Sequence, residues 1–394
     1  MRFVRLWERK DALVKPFSLP CIQSKKIMRR YLFLLLLVLG SACNEEEGTI
    51  TPNEDAPDTT APPPESRYFP PLSGETWETV SPADLGWSDT KLDELRNYLG
   101  AHGTKAFIIL KNGRIATEWY LNGFTADSLW YWASAGKTLT TYLIGKAQED
   151  GFLDIQAPTS RYLGEGWTSL SPQQEAQITL WHQLTMTTGL DDEVPNLDCT
   201  LPRCLRYRTD PGARWSYHNA PYTLLGNVLE AATGKTRNQL SQEYLFETVG
   251  MQGAWMPLEF NRVFVSDARS MARFGLLMLS EGNWDGRTLL QDKAFLEVAT
   301  TPSQEINPAY GYLWWLNGTS SHMLPRTQIR FTGSLIPSAP DELIAALGKN
   351  DQKIYVVPSE ELVVIRLGDS AGESKLAASS FDTQLWTYLS ALGE

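Results

Sequence analysis

Apolar positions along this chain recur with two periods, and where each period holds outlines the elements. From Ser88, the segment SDTKLDELRNYLG places Leu92, Leu95 and Leu99 on one side of a 3.6-residue turn. Ser88 is a natural N-cap and Gly100 a natural stop, so the spacing predicts a helix. Next, KAFIILKNGRIATEWYLNG holds two β-rich runs on either side of Asn112-Gly113, the strongest short hairpin signal. The helical period returns from Ser134 to Asp150, where Leu139, Tyr142, Leu143 and Ala147 form one stripe and Gly151 ends it. It recurs from Pro221, with Leu224, Leu225, Val228, Leu229 and Ala232 ahead of Gly234. Strand patterns come back late: Lys353–Val357 and Leu362–Leu367 flank a Pro358-Ser359-Glu360-Glu361 turn, and a last helix carries Leu385, Leu389 and Leu392. Strands therefore sit at both ends of the folded part, and helices dominate its middle. Successive hairpins predict an antiparallel sheet rather than a doubly wound one, so the expected class is α+β.

Residues 1–67 follow neither period. Lys25, Lys26, Arg29 and Arg30 precede the apolar run Tyr31–Leu39, and Gly40-Ser41-Ala42-Cys43 follows. A basic stretch, a short apolar core and small residues make a secretory signal over residues 1–42, with Met28 as an alternative start. The run is too short to span a bilayer, which takes about 20 apolar residues. Small residues ending at a cysteine resemble the bacterial lipoprotein signal, which implies acylation of Cys43; the bland alternative is a plain cleaved signal. Residues 43–67 are acidic, rich in Pro and Thr and nearly free of large apolar side chains. They cannot bury enough surface to offset their ordering entropy, and so read as a disordered tether. The acidic run behind Cys43 resembles the surface-export signal of Bacteroidetes lipoproteins. The folded domain is then residues 68–394, exported and lipid-anchored to the cell envelope, in the periplasm or at the outer-membrane surface, and expected to be a monomer.

Charge sharpens this division. Residues 1–42 carry nine Lys or Arg and two Asp or Glu, so of the net −11 the remainder of the chain holds −18. Such an acidic body argues against nucleic acid and against electrostatic docking on anionic lipid, leaving the lipid anchor as the only predicted membrane link. Outside the cytoplasm, Cys199 and Cys204 in CTLPRC are expected to pair as a disulfide. Zinc would need more ligands, and His102, His182, His218 and His322 offer no paired spacing beside them. No metal or organic cofactor is expected.

The candidate chemistry lies in Trp132-Ala133-Ser134-Ala135-Gly136-Lys137-Thr138. A phosphate loop needs a glycine five residues before its G-K-T, and Tyr131 stands there; the second G-K-T, at Gly234, has Leu229 in that place. The surviving reading is Ser134-x-x-Lys137. Residues three apart share a helix face, and a helix start aims N–H groups and partial positive charge at that spot, the ingredients of an oxyanion site. Base catalysis requires Lys137 to fall from about 10.4 to about 7–8, which burial among Trp130, Tyr131 and Trp132 can supply. Ser88-x-x-Lys91 has the same spacing on a charged surface helix and reads as a cap. Tyr217-x-Asn219 precedes the Pro221 helix, so Tyr217 is a candidate proton relay and Asn219 a group that orients substrate or bonds Lys137. Tyr120-x-Asn122 ends a hairpin strand and reads as a turn. A core tyrosine is the plain alternative for Tyr217, and core packing the plain alternative for Trp314 and Trp315.

In order, Ser-x-x-Lys, Tyr-x-Asn and a late strand pair resemble the serine β-lactamase-like family, class C branch. That family includes β-lactamases, D,D-carboxypeptidases, esterases and aminohexanoate-oligomer hydrolases. Leu184–Leu190, with Met186 where histidine is usual, and Pro211–Gly226 resemble its segments too. The resemblance covers about Tyr68 to the C-terminus. It implies an antiparallel sheet flanked by helices plus a mostly helical lobe, with the site between them. It also implies acylation of Ser134, Lys137 as its base and Tyr217 as the relay. The third motif departs, since no Lys-Thr-Gly exists and Phe331-Thr332-Gly333 lies too far upstream of the last strand pair. Ala346–Gln352 stands in the matching place and is closer to the Gly-x-x-Gly-Gln of esterase and amide-hydrolase members, with Asp351 replacing a glycine. Lys349 there offers a backbone N–H to an oxyanion, a cation, or only a solvated turn. The expectation is a serine hydrolase of small esters or amides. The alternatives are a D,D-carboxypeptidase or β-lactamase, a catalytically inactive surface binding protein on the same fold, and a Ser-His-Asp hydrolase, which lacks its first elbow glycine at Trp132.

Overall fold

Asn112 and Gly113 both take positive φ, 49° and 80°, and fold β1 (Thr104–Lys111) back on β2 (Arg114–Tyr120). Only glycine fits at 113, because a Cβ there would lie 1.9 Å from the Tyr68 carbonyl oxygen. Arg67 anchors the same corner, with its guanidinium 2.6 and 2.7 Å from the two carboxylate oxygens of Glu361. The computed structural model describes residues 66–373 and 378–393. The signal, Cys43 and all but the last two residues of the predicted tether lie outside the described residues.

The main sheet continues through β3 (Trp315–Leu316), β4 (Ile344–Gly348), β5 (Gln352–Val357) and β6 (Leu362–Gly368), in the order β2-β1-β6-β5-β4-β3 with every pairing antiparallel. All residues of β5 and β6 are buried, because both faces of the sheet are covered. The helices that matter are α1 (Asp89–Ala101), α2 (Lys137–Glu149), α3 (Asn219–Thr233), α4 (Ala268–Leu279) and α5 (Ser380–Ser390). Gly275 of α4 presses on Val363, Ile354 and Ile365. Strand alternation sends Tyr355 to the opposite face, where its ring meets Trp386 of α5 edge-on at 5.5 Å. Sheet and helices form the expected α+β arrangement.

Three differences from the sequence reading have physical causes. The helix expected from Ser134 opens with one 3₁₀ turn, Ala133–Gly136, and α2 proper starts at Lys137. Ala133 enters that turn at φ 48°, a left-handed value that an ordinary helix start does not have. α3 begins at Asn219, which puts Pro221 inside its first turn and leaves Gly234 as a left-handed C-cap at φ 69°. β4 has no alternating pattern, because the buried run Ala345–Gly348 is covered on both faces, and only the sheet identifies it. Among the described residues no helix is long and apolar enough to cross a membrane.

Candidate active site

Ser134 is placed by the residues on either side of it. Trp132 is fully buried, donates its indole N–H to the Ser266 hydroxyl at 2.8 Å, and gives its backbone N–H to Phe264 at 2.9 Å. The left-handed Ala133 then turns the chain so that Ser134 lines a cavity of about 950 Å³. A left-handed alanine costs roughly 1–2 kcal/mol, and strain of this kind collects at functional turns. In a 3₁₀ turn, residues three apart eclipse, so the Ser134-x-x-Lys137 spacing keeps both on one side.

Lys137 is 2 % exposed. Its amine lies 3.8 Å from the centre of the Tyr222 ring and 5.4 Å from that of Tyr217. Burial lowers it to about 7, against the opposing pull of the Asp198 charge. Ring faces and a carboxylate both favour a cation, yet dehydration outweighs them. Tyr217 lines the cavity with Ser134, and burial holds its phenol well above the ordinary value, so it stays protonated at neutral pH. An aromatic box fixes Tyr217: Trp315 stacks on it at 5.9 Å, and Tyr310 meets it edge-on at 6.2 Å. Trp314 and Trp315 are thus core residues, fully or almost fully buried, and Trp315 reaches the site only through Tyr217. Asn219, at the start of α3, lines the cavity with a buried Oδ1 that has no hydrogen-bond partner among the described residues.

β4 forms the opposite wall. A Cβ on Gly348 would lie 2.5 Å from the Trp132 carbonyl oxygen and 3.0 Å from the Ala135 nitrogen, so glycine lets the strand end touch the Ser134 turn. β3 pairs only with Ile344 and Ala345, and past them this edge of β4 has no strand partner. The Leu343 carbonyl on that edge accepts from Asn317, and strand alternation puts the Leu347 peptide on the same side. N–H groups there, together with those of the Ser134 turn, are the candidate oxyanion donors.

Lys349 is exposed, lines the cavity and belongs to the turn after β4. That turn is firmly held. Asn350 donates to the Tyr131 hydroxyl at 2.7 Å, the Gln352 amide donates to the Asn350 and Gly368 carbonyls at 2.7 Å each, and Arg366 donates to the Asp351 carbonyl at 2.7 Å. Asp351, at φ 59°, adopts the backbone a glycine would take, and its buried carboxylate accepts from Ala371, Gly372 and Ser379.

Cys199 and Cys204 are disulfide-bonded, beside a loop that the pattern reading left unassigned. Residues 192–198 of that loop line the cavity together with Arg214 and Pro325–Gln328. They escaped the sequence reading because loop residues carry no period; the adjacent cysteine pair was the available signal. Tyr222 was hidden in the apolar stripe of α3. Neither decoy lines the cavity: Lys91 pairs with Glu94 at 3.2 Å, and Tyr120, half-buried at the end of β2, donates to Glu118. Among the described residues no cluster suited to a metal occurs.

The Escherichia coli (strain K12) protein "Beta-lactamase" is 28 % identical over 139 residues, 34 % of this chain and 36 % of that protein. The match thus spans little more than a third of that relative's length. The 6-aminohexanoate-dimer hydrolase of Paenarthrobacter ureafaciens is 21 % identical over 319 residues, 71 % of this chain and 76 % of the relative. A putative β-lactamase from Bacteroides dorei DSM 17855 shares the fold with a TM-score of 0.61 at 17 % identity, covering 78 % of this chain and 99 % of that structure. The Beta-lactamase family profile matches residues 95–380, a span that runs from α1 to the start of α5 and encloses both the Ser134 turn and β4, and the chain belongs to that family, whose members are in general serine hydrolases.

Proposed function

We propose that the protein is a serine hydrolase of the esterase or amidase kind, from the class C branch, acting on a small ester or amide through an acyl-Ser134 intermediate. The observation that carries this reading is the buried amine of Lys137, brought to about 7 by dehydration beside the Tyr217–Ser134 pair. A neutral Lys137 takes the Ser134 proton as the oxygen attacks the substrate carbonyl. The N–H groups of the Ser134 turn and of the β4 edge hold the resulting oxyanion. The C–N or C–O bond then breaks, and the proton passes through the Tyr217 hydroxyl to the departing nitrogen or oxygen. Water hydrolyses the acyl-serine by the same path in reverse. Asn219 orients the substrate or the Lys137 amine with its free Oδ1. The absence of a Lys-Thr sequence before Gly348 favours linear esters and amides over β-lactams, and the name of the Paenarthrobacter relative, an amide hydrolase, agrees.

Incubation with a fluorophosphonate probe, followed by peptide mapping, tests the nucleophile. Modification of Ser134 that disappears in Ser134→Ala, together with loss of ester turnover, is expected. An unmodified Ser134 would favour the binding-protein reading. We further propose secretion with acylation at Cys43, which places a monomeric enzyme on the cell envelope. Metabolic labelling with a fatty-acid analogue, abolished by Cys43→Ala, is the expected outcome.

A further inference from the structure

A lysine that takes a proton becomes an ammonium ion, and Lys137 is almost fully buried at the start of α2. Water cannot solvate that charge, so groups of the protein must stand in for it. Tyr222 is placed to do so. It lies in the first turn of α3, is itself buried, and puts the centre of its ring 3.8 Å from the Lys137 amine, against 5.4 Å for Tyr217. Its hydroxyl lies 3.4 Å from that of Thr140. Lys137 and Thr140 are three apart on α2 and share a face. One helix therefore meets both the face and the tip of this phenol, which fixes the ring against the amine.

A base in this position has two conflicting tasks. It must be neutral before the reaction, and it must hold a proton during it. Dehydration meets the first task and opposes the second, because it disfavours the charged form. A ring face attracts an ammonium ion through its quadrupole, and more strongly where water is absent. It offers a neutral amine little, so the attraction grows as the proton moves, and only such interactions speed the chemical step. The other groups that act on Lys137 and Tyr222 do not replace the ring. Burial raises the phenols of Tyr217 and Tyr222, so both stay uncharged at neutral pH. The Asp198 charge favours the ammonium from the cavity loop, and the Arg237 charge acts on Tyr222.

We propose that Tyr222 is a positioning residue for the base: its ring face holds the Lys137 amine in place and stabilises the ammonium that forms as Ser134 attacks. In that step the Ser134 O–H bond breaks, the proton bonds to the Lys137 nitrogen lone pair, and the electron pair left on Oγ forms the bond to the substrate carbonyl carbon. The catalytic consequence rests on the hydrolase reading above, whereas the coupling of ring to amine does not.

The test is an NMR titration of the full chain carrying lysine labelled at Cε, which needs no turnover. The Lys137 signal is the one missing from Lys137→Met. The series is Tyr222→Phe and three further variants in which that phenylalanine carries one, two or three ring fluorines. Fluorine drains charge from the ring face while adding little volume, and the ring stays apolar. The titration of Lys137 is expected to stay near that of wild type in Tyr222→Phe and to fall stepwise with each fluorine, by about one unit over the series, a tenfold change in the proton equilibrium. Acylation on its high-pH plateau is expected to slow in the same order, by roughly three- to tenfold, because a weaker base drives proton transfer less. A ring that served only to exclude water would leave the titration unchanged across the series. That result, or a titration that rises with fluorine, overturns the proposal; rates that ignore a falling titration overturn its catalytic part. A titration that follows the series in a protein whose wild-type form hydrolyses no ester or amide would sink the hydrolase reading and leave the coupling of ring to amine standing.

Discussion

Lys137 is the residue whose environment carries the proposed chemistry. Its ordinary value leaves it charged at neutral pH, and almost complete burial brings it to about 7. In the proposed reaction the amine is the reactive form, so acylation should climb as pH rises toward about 7 and then level off. A stopped-flow pH profile checks this, and a flat profile from pH 5 to 8 would contradict it. Lys137→Ala should slow acylation by about 10²- to 10⁴-fold, the usual worth of a general base, with the fold preserved by circular dichroism. Stability carries the same signature. The unfolded lysine holds its proton up to about 10.5 and the folded one only to about 7, so folding releases a proton between these values and this group adds stability as pH rises. Wild type should therefore gain on Lys137→Met in urea melts as pH goes from 7 to 10. Lys91 shows the contrast: the same Ser-x-x-Lys spacing, exposed and paired to Glu94, has no such dehydration.

Among the elements, the contact between the end of β4 and the Ser134 turn sets the geometry of the site. Gly348 permits it by having no side chain, and the atoms a Cβ would meet are backbone, which cannot swing aside. Gly348→Ala should cost roughly 1–3 kcal/mol of stability, as overpacking does. Because the strand must back away from Ser134, kcat should fall further than that loss explains; chemical denaturation and steady-state kinetics on the same preparation separate the two effects. A second feature of the same contact is the turn after β4, tied through Asn350 to Tyr131 and through Gln352 to Gly368, so both walls of the cavity share one set of hydrogen bonds.

Across the molecule, a buried ionic network joins that turn to the C-terminal helix. Lys353 is fully buried, 2.9 Å from Asp382 of α5 and 3.3 Å from Asp351, and Tyr355 donates to Asp382 at 2.5 Å. Arg366 adds bonds to the carbonyls of His102, Asp351 and Asp369. Removing one member strands the others without water. Lys353→Met should destabilise the fold by about 3–5 kcal/mol, read as a lower urea midpoint, because two carboxylates lose their buried partner. The loss should reach the active site, since Asp351 belongs to the β4–β5 turn.

The sequence by itself determined the elements whose signals are local. The hairpin at Asn112-Gly113, the helix stripes, the late strand pair β5–β6 and the Gly234 cap all follow from period, turn chemistry and capping within a few residues. It also singled out Ser134, Lys137, Tyr217 and Asn219, because serine and lysine three apart on an apolar helix start, followed by Tyr-x-Asn, are chemically informative by type and spacing. Only the tertiary structure decided that β4 lies against the Ser134 turn, that Tyr222 covers Lys137, and that residues 192–198 and 325–328 enclose the cavity. Those placements depend on contacts between residues far apart in the chain, where no local period or cap carries information. The depth of water exclusion around Lys137 is likewise a sum over several elements, and it is what turns a common spacing into a candidate base.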